Sequence, residues 1–262
     1  MAATSGFRRL AIGGALFILV LYGGLIGSLV YYLDRGQFLE TLGSQRTLYA
    51  IGLSLSAATL ATLLAVIIAI PAAYALSRYR FRGREAVDTL LELPIIVSPA
   101  ALGAMLLIFF TNPVGAWVQE HSVQFVFAFA GVVLAQFVTT VGIATRFIKA
   151  AIDEVPPRYE AVGRTLGASP ARAFLSLTLP LAGRGILAAT VLTWAKAMGE
   201  FGATITLAGT MAMRTETLPI AIFMHLASAD IEGTVVLILI LLGIGLGTLY
   251  GVRRLGRRGR RA

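Results

Sequence analysis

Apolar runs of about 20 residues recur along this chain, and they constrain its fold more than any other feature, because a helix needs about that many to cross a bilayer. We predict six spans, over residues 10–31, 48–76, 95–110, 125–147, 181–207 and 235–252. The composition agrees: 57% of the residues are hydrophobic and only 13% are charged, about half the charged share of a soluble domain. The predicted fold class is an all-α polytopic membrane protein, with a single domain over 1–262 and its core at 48–252.

The cations are distributed unevenly between the two sides of this predicted bundle. If the spans alternate in direction, 18 of the 22 Lys and Arg residues lie on one side. The exceptions are Arg35, Arg46 and Arg214 on the other side and Lys196 within a span. Loops rich in Lys and Arg remain in the cytoplasm, so we expect both termini to be cytoplasmic and the protein to lie in the cell membrane. The net charge of +9 then reflects topology and not nucleic-acid binding. The basic tail, residues 253–262, would contact anionic lipid headgroups.

Several kinds of chemistry are excluded by what the chain lacks. It has no cysteine and only two histidines, too few for disulfides, thiolate metal sites or a histidine-based metal cluster. It has no Gly-x-x-x-x-Gly-Lys-Ser/Thr loop to hold nucleotide phosphates. The predicted spans also offer no paired nucleophile and base. We therefore expect a chain that is not an enzyme, with no catalytic residue, metal or cofactor of its own.

A polar stretch, residues 159–180, interrupts the apolar pattern between the fourth and fifth predicted spans. A short helix precedes Gly167, which suits a helix end because glycine takes the left-handed conformation without steric cost. Ser169 and Pro170 suit the N-cap and the first position of another helix. We predict a helical hairpin over residues 153–180.

The spacing within this hairpin resembles the cytoplasmic signature of the membrane subunits of ATP-binding-cassette (ABC) importers. That signature reads Glu-Ala-Ala, three residues, Gly, nine residues, an aliphatic residue, one residue and Leu-Pro. Its second half matches from Gly167 to Pro180, whereas its glutamate position falls on Ala161, one residue after Glu160. The resemblance implies a type I ABC importer permease fold and a hairpin that docks on an ATPase. The coupling residues it implies are Glu160, Ala161, Gly167, Ala168, Leu177, Leu179 and Pro180.

The same resemblance implies a set of partners. A cytoplasmic ABC ATPase dimer would bind ATP and Mg²⁺ and power transport. An extracytoplasmic oxyanion-binding protein would deliver the cargo, and the long outer connection, residues 200–232 with Glu216, would face it. Six spans form half of a symmetric conduit, so we expect a second copy of the permease.

A second motif narrows the family. The run WAKAMGEFGATITLAG, residues 194–209, is similar to the molybdate, tungstate and sulfate permeases. The residues RTETLPIAI at 214–222 and the opening of the third span at 93–103 look more like the molybdate/tungstate branch. The resemblance, which covers roughly residues 54–248, implies import of molybdate or tungstate by alternating access. The alternative is a sulfate or thiosulfate permease.

Six residues are candidates for the translocation path or its gate: Ser98, Pro99, Lys196, Glu200, Phe201 and Gly202. Lys196 and Glu200 lie four residues apart on one helical face. Lys196 would either attract a dianion beside the path or pair with Glu200 and neutralise it. Phe201 and Gly202 suit a constriction, although ordinary helix packing explains the glycine equally well. Ser98 and Pro99 would either break the third span and free carbonyls toward a cavity or produce a simple kink.

Overall fold

The computed structural model describes residues 2–33 and 35–258, and within them the regular structure is helical, as predicted. The helices before the hairpin are α1 (Ala2–Val30), α2 (Arg35–Gly43), α3 (Gln45–Arg78), α4 (Arg84–Leu90), α5 (Leu93–Ile96), α6 (Pro99–Thr111), α7 (Pro113–His121) and α8 (Phe129–Asp153). Those that follow are α9 (Arg158–Thr165), α10 (Pro170–Ala173), a π-helical turn (Phe174–Thr178), α11 (Leu179–Met198), α12 (Gly202–Ala208), α13 (Leu218–Ala227) and α14 (Ile231–Arg258). Of the predicted basic tail, residues 259–262 lie outside the described part.

Five helical segments in the described residues are long and apolar enough to cross a membrane: α1, α3, α8, α14 and the continuous stretch Pro170–Met198. A sixth span results if the segment Arg84–Ile96 and α6 are counted as one broken span, although they meet at 112°. The predicted start of the third span, residue 95, was therefore wrong. The Ser98 hydroxyl accepts a hydrogen bond from the Ala101 N–H at 3.3 Å, and Pro99 occupies the first helical position. A new helix begins at this point.

The predicted boundaries of the fourth and fifth spans also shift. The side-chain oxygen of Gln119 accepts hydrogen bonds from the backbone N–H groups of Phe125 and Val126, which holds this stretch outside the helix, so α8 begins at Phe129. The predicted fifth span, residues 181–207, is interrupted between Met198 and Gly202. These breaks depend on side chains that bond to backbone, and they leave no trace in hydropathy.

Close packing of α3 against α8 forms the centre of the bundle. Along α3, five alanines at four-residue intervals are fully buried: Ala57, Ala61, Ala65, Ala69 and Ala73. Residues four apart share a helical face, and small side chains let helices in a bilayer approach closely. Ala65, Ala69 and Ala73 pack with residues of α8 and α11. The other two pack with residues of α8 and α12.

The two ends of α3 are each tied to a distant segment. We call the end of the bundle that carries Arg78 and the hairpin the basic end. At the opposite end, the Arg46 guanidinium donates to the Glu216 carboxylate, with Nε 2.8 Å from Oε2. The Glu216 side chain is only 1% exposed, and its carboxylate faces α3.

Glycine at 103 should be required for the contact between α6 and α12. A Cβ added there would lie 2.7 Å from the Ala203 carbonyl oxygen and 2.8 Å from its Cα, so the backbone would have to shift. We expect Gly103→Ala to lower stability by about 2 kcal/mol, seen as a lower Tm in detergent. In the matched control, Gly52→Ala on α3, the new methyl group meets nothing within 4 Å. Equal Tm values for the two variants would contradict this packing.

Candidate functional site

The first arm of the 153–180 hairpin, α9, ends in a backbone cap built on glycine. Gly167 has φ +90°, a conformation that L-residues with a side chain rarely take. Its N–H donates to the Arg164 carbonyl, and the Ala168 N–H donates to the Gly163 carbonyl, both at 3.0 Å. This pair of bonds is the Schellman pattern. Gly167 thus ends the helix as the sequence predicted.

The second arm begins at a side-chain cap and packs back on the first. The Ser169 hydroxyl accepts from the Arg172 N–H at 3.3 Å, and Pro170 occupies the first turn of α10. Leu177, in the π-helical turn, covers Gly163, where an added Cβ would lie 2.7 Å from the leucine Cδ1. Leu179 packs against the buried cluster of α3, α8 and α11. The Leu-x-Leu pattern therefore closes the hairpin and joins it to the bundle.

The Glu160 carboxylate lies at the junction of three elements. Its Oε1 accepts from Arg78 Nε at 3.0 Å and from the Thr178 hydroxyl at 2.6 Å, and its Oε2 accepts from the Tyr74 hydroxyl at 2.7 Å. The Arg78 and Glu160 side chains are 10% and 13% exposed. Arg78 also donates to the Ile152 and Val155 carbonyls at the end of α8. The carboxylate thus joins α9 to α3 and to the start of α11.

The outer face of the hairpin exposes apolar side chains beside the cations Arg158 and Arg164. Ala161, at the family's glutamate position, is exposed, and so are Tyr159, Val162 and Leu166. Leu166 is the extreme case, with 84% of its surface accessible. Neighbouring positions 160 and 161 thus point in opposite senses: the carboxylate faces the bundle and the alanine faces outward.

The environment of Glu160 changes its acidity. Burial alone disfavours the ionised carboxylate, but the hydrogen bonds from Thr178, Tyr74 and Arg78 together outweigh it. The pKa of Glu160 therefore lies below its ordinary value. The carboxylate is ionised at neutral pH and binds its three donors in that form.

The candidate path residues form a second cluster, at the break between α11 and α12. Lys196 Nζ lies 2.8 Å from Glu200 Oε2. The other Glu200 oxygen accepts from the Ala203 N–H at 3.1 Å, in the first turn of α12. The Glu200 side chain is 1% exposed and that of Lys196 43% exposed. The pair is therefore formed, and the carboxylate also caps the helix that follows the break.

The remaining path candidates meet where α12 crosses the start of α6. A Cβ on Gly202 would lie 2.9 Å from the Ala100 nitrogen and 3.2 Å from Pro99 Cβ, so the two helix starts touch backbone to backbone. The Phe201 ring lies beside that of Phe223, with 5.1 Å between centroids. Ser98, Pro99, Gly202 and the Lys196–Glu200 pair thus belong to one region, although they are a hundred residues apart in sequence.

Sequence reasoning missed the partners of Glu160. Tyr74 and Arg78 were assigned no role, and Thr178 was only the variable residue between two leucines. The available signal was weak: a tyrosine and an arginine four residues apart at the end of a span share one helical face. The sequence does not show that the acid bound by Tyr74 and Arg78 is Glu160, because only the fold brings these residues together.

Comparisons with known proteins agree with the sequence motifs. A model of the family described as "Binding-protein-dependent transport system inner membrane component" matches residues 61–261. A probable molybdenum ABC transporter permease protein of Haloferax volcanii is 38% identical over 91% of this chain and 87% of its own length. The molybdenum transport system permease protein ModB of Haemophilus influenzae is 34% identical over 70% of this chain and 81% of its own length. The sulfate transport system permease protein CysT of Escherichia coli is 28% identical over 86% of this chain and 82% of its own length.

The fold also has solved counterparts. A chain of a bacterial ABC transporter for import of the acidic polysaccharide alginate superimposes with a TM-score of 0.78 at 18% sequence identity, over 98% of both chains. At that identity the likeness concerns the fold, and it confirms the importer permease architecture predicted from the sequence.

The depressed pKa of Glu160 predicts a pH-dependent contribution to stability. Its ordinary value is 4.5, and the folded value is lower, so the contribution is complete above pH 4.5 and is lost as the pH falls through the folded pKa. We expect Glu160→Gln to lower Tm by roughly 5 °C at pH 7 in detergent, with a difference from wild type that shrinks below pH 4.5. Glu85→Gln, at an exposed acid on α4, is the matched control. A Glu160→Gln difference that stays constant with pH would contradict the ionised network.

Proposed function

The chain belongs to the family of binding-protein-dependent transport system inner membrane components, and from this premise we propose that it carries molybdate and tungstate. It is a multi-pass protein of the cell membrane and the permease component of an ABC importer, a component that is not itself catalytic. The observation that supports this cargo is sequence identity: relatives named for molybdenum are 34–38% identical to this chain, and relatives named for sulfate are 28–32% identical. The RTETLPIAI run at residues 214–222, which looks more like the molybdate/tungstate branch, agrees with that difference in identity.

The partners follow from the family and from the architecture of the chain. A permease of a binding-protein-dependent system works with a binding protein and an ATPase. We place the basic end in the cytoplasm, where an ABC ATPase dimer would bind ATP and Mg²⁺, and the oxyanion-binding protein at the opposite end. Residues 1–262 would act as one permease domain. Two copies of it would line one path, because a single set of spans supplies half of a symmetric conduit.

The hairpin is the proposed contact with the ATPase. Its outward face offers the apolar side chains of Tyr159, Val162 and Leu166 around the exposed Ala161 and the Gly167–Ala168 cap. Apolar side chains exposed on a compact knob at a membrane surface suit a cleft on another protein. Leu177, Leu179 and Pro180 would then pass the movement of the knob into α11. Closure of the ATPase dimer would switch the two copies between inward and outward states.

The gate is proposed at the contact of α12 with the start of α6. The α11–α12 break places the Lys196 ammonium, which is partly exposed, beside a glycine-tight helix crossing. A half-exposed cation would raise the local concentration of a dianion without holding it firmly, and a conduit has to release its cargo. Phe201 would supply the bulk that closes the path.

The cargo is tested in proteoliposomes that contain the permease, its ATPase and its binding protein. We expect molybdate and tungstate to stimulate ATP hydrolysis, sulfate to have no effect, and Gly167→Asp to abolish the stimulation. The matched control is Gly83→Asp, which adds the same charge at another glycine of the basic end with positive φ, +86° against +90°, outside the hairpin. Stimulation by sulfate alone would assign the chain to the sulfate branch, and full stimulation of Gly167→Asp would contradict the proposed docking.

A double variant separates the two roles of Lys196. Lys196→Gln leaves the buried Glu200 carboxylate without its cation, so we expect a lower Tm. Adding Glu200→Gln removes the unpaired charge and should restore the Tm. If the cation serves the path, oxyanion uptake by the double variant stays low although its Tm recovers. Recovery of both quantities would show that the pair serves only the helix ends.

A further inference from the structure

Two separate elements send three hydrogen-bond donors to the single carboxylate of Glu160. Tyr74 and Arg78 come from the end of α3, and Thr178 comes from the last position of the π-helical turn. The carboxylate itself belongs to α9. Each oxygen is engaged, and three donors on two elements surround one acceptor group. A surface ion pair between flexible side chains does not have this arrangement.

Aromatic packing joins the same elements above the carboxylate. The Tyr74 ring lies 4.4 Å from the ring of Phe174, which opens the π-helical turn, and 5.6 Å from that of Tyr79 just after α3. The hydroxyl of Tyr74 therefore bonds to α9 while its ring packs on the second arm of the hairpin. Because the Glu160 and Arg78 side chains are nearly buried, these bonds lie in a medium of low dielectric constant, where charge-assisted hydrogen bonds are strong.

The bond from Thr178 bypasses a weak point of the backbone. Along the chain, α9 reaches α11 only through the Gly167 cap, the short α10 and the π-helical turn. Single π-helical turns inside helices are rare and occur often at functional sites. The Thr178 hydroxyl, buried at the end of this turn, links α9 to the start of α11 without that route.

We propose that Glu160 is a positioning residue that fastens the hairpin to α3 and to the start of α11, so that a displacement of the hairpin moves both helices as one body. The inference rests on the proposed coupling role of the hairpin. Without this carboxylate, α9 would be joined to the start of α11 only through the backbone and the apolar contact of Leu177 with Gly163, and part of its displacement would be absorbed in the π-helical turn. α3 would receive the displacement only through side-chain packing.

The fastening is tested first without any cargo. Hydrogen exchange of the detergent-solubilised permease–ATPase complex reports the opening of individual segments. We expect Glu160→Gln to raise the exchange rate of amides in residues 158–165 and 174–178 about tenfold, from the loss of charge-assisted bonds. Glu85→Gln should exchange like the wild type. Wild-type exchange in Glu160→Gln would overturn the proposal, whatever the cargo proves to be.

The transmission is tested by the number of oxyanions taken up per ATP hydrolysed. Tyr74→Phe and Thr178→Val each remove one hydroxyl from Glu160 and keep the shape of the side chain, so they remain folded and keep the test decisive if Glu160→Gln is not isolated in quantity. We expect the ratio to fall about tenfold in Glu160→Gln and about threefold in each of the other two. Combining Tyr74→Phe with Glu160→Gln should add nothing further. Tyr49→Phe, at the other end of α3, should match the wild type.

The outcomes separate this inference from the proposed function. If the wild type takes up none of the oxyanions, the proposed cargo fails, and the exchange measurement still decides whether Glu160 fastens the hairpin. If the wild type transports and the three variants keep the wild-type ratio of uptake to hydrolysis, Glu160 has no role in transmission. The role of Glu160 in transmission is supported if the ratio of uptake to hydrolysis falls in all three variants while the Tm of Tyr74→Phe stays at the wild-type value.

Discussion

The close approach of α3 and α8 is the constraint on which the rest of this structure depends. A bilayer offers helices no hydrophobic reason to associate, so contact has to come from packing and from polar bonds. The alanines from Ala57 to Ala73, about one on each successive turn of α3, provide that contact over about 24 Å of the helix. With α3 and α8 in place, α11 packs on one half of the pair and α12 on the other.

Much of this architecture could be predicted from the sequence, because apolar length and cap residues are local signals. The spans, the glycine at 167 that ends α9, and the cap at Ser169 and Pro170 were all predicted in this way. The break at Ser98 and Pro99 was one of two alternatives left open, and the break after Met198 was not predicted, since a hydropathy pattern does not register a side chain that bonds to backbone. The sequence also left open which of Glu160 and Ala161 faces the bundle. A shift of one position on a helix turns a side chain by about 100°, and only the fold shows which of the two faces inward.

The buried acids of this chain have a common use, which their sequence context does not reveal. Glu160, Glu200 and Glu216 each bind a cation and are nearly inaccessible themselves. Two of them join segments more than 80 positions apart, with 82 positions between Arg78 and Glu160 and 170 between Arg46 and Glu216. Such pairs contribute little net stability once desolvation is included. They do exclude alternative arrangements, because a buried carboxylate without its cation is costly.

The two long-range pairs are also placed at the two ends of one helix. Arg46 lies in the first turn of α3 and Arg78 in its last, and a helix of 34 residues is about 50 Å long. One rod therefore connects the hairpin at the basic end with the segment before α13 at the opposite end. The alanine contacts leave this helix little side-chain slack against α8. Under the proposed coupling role of the hairpin, a pull on Arg78 would be passed toward Glu216 through the backbone of α3, in which Pro71 is an interior position without a backbone N–H donor.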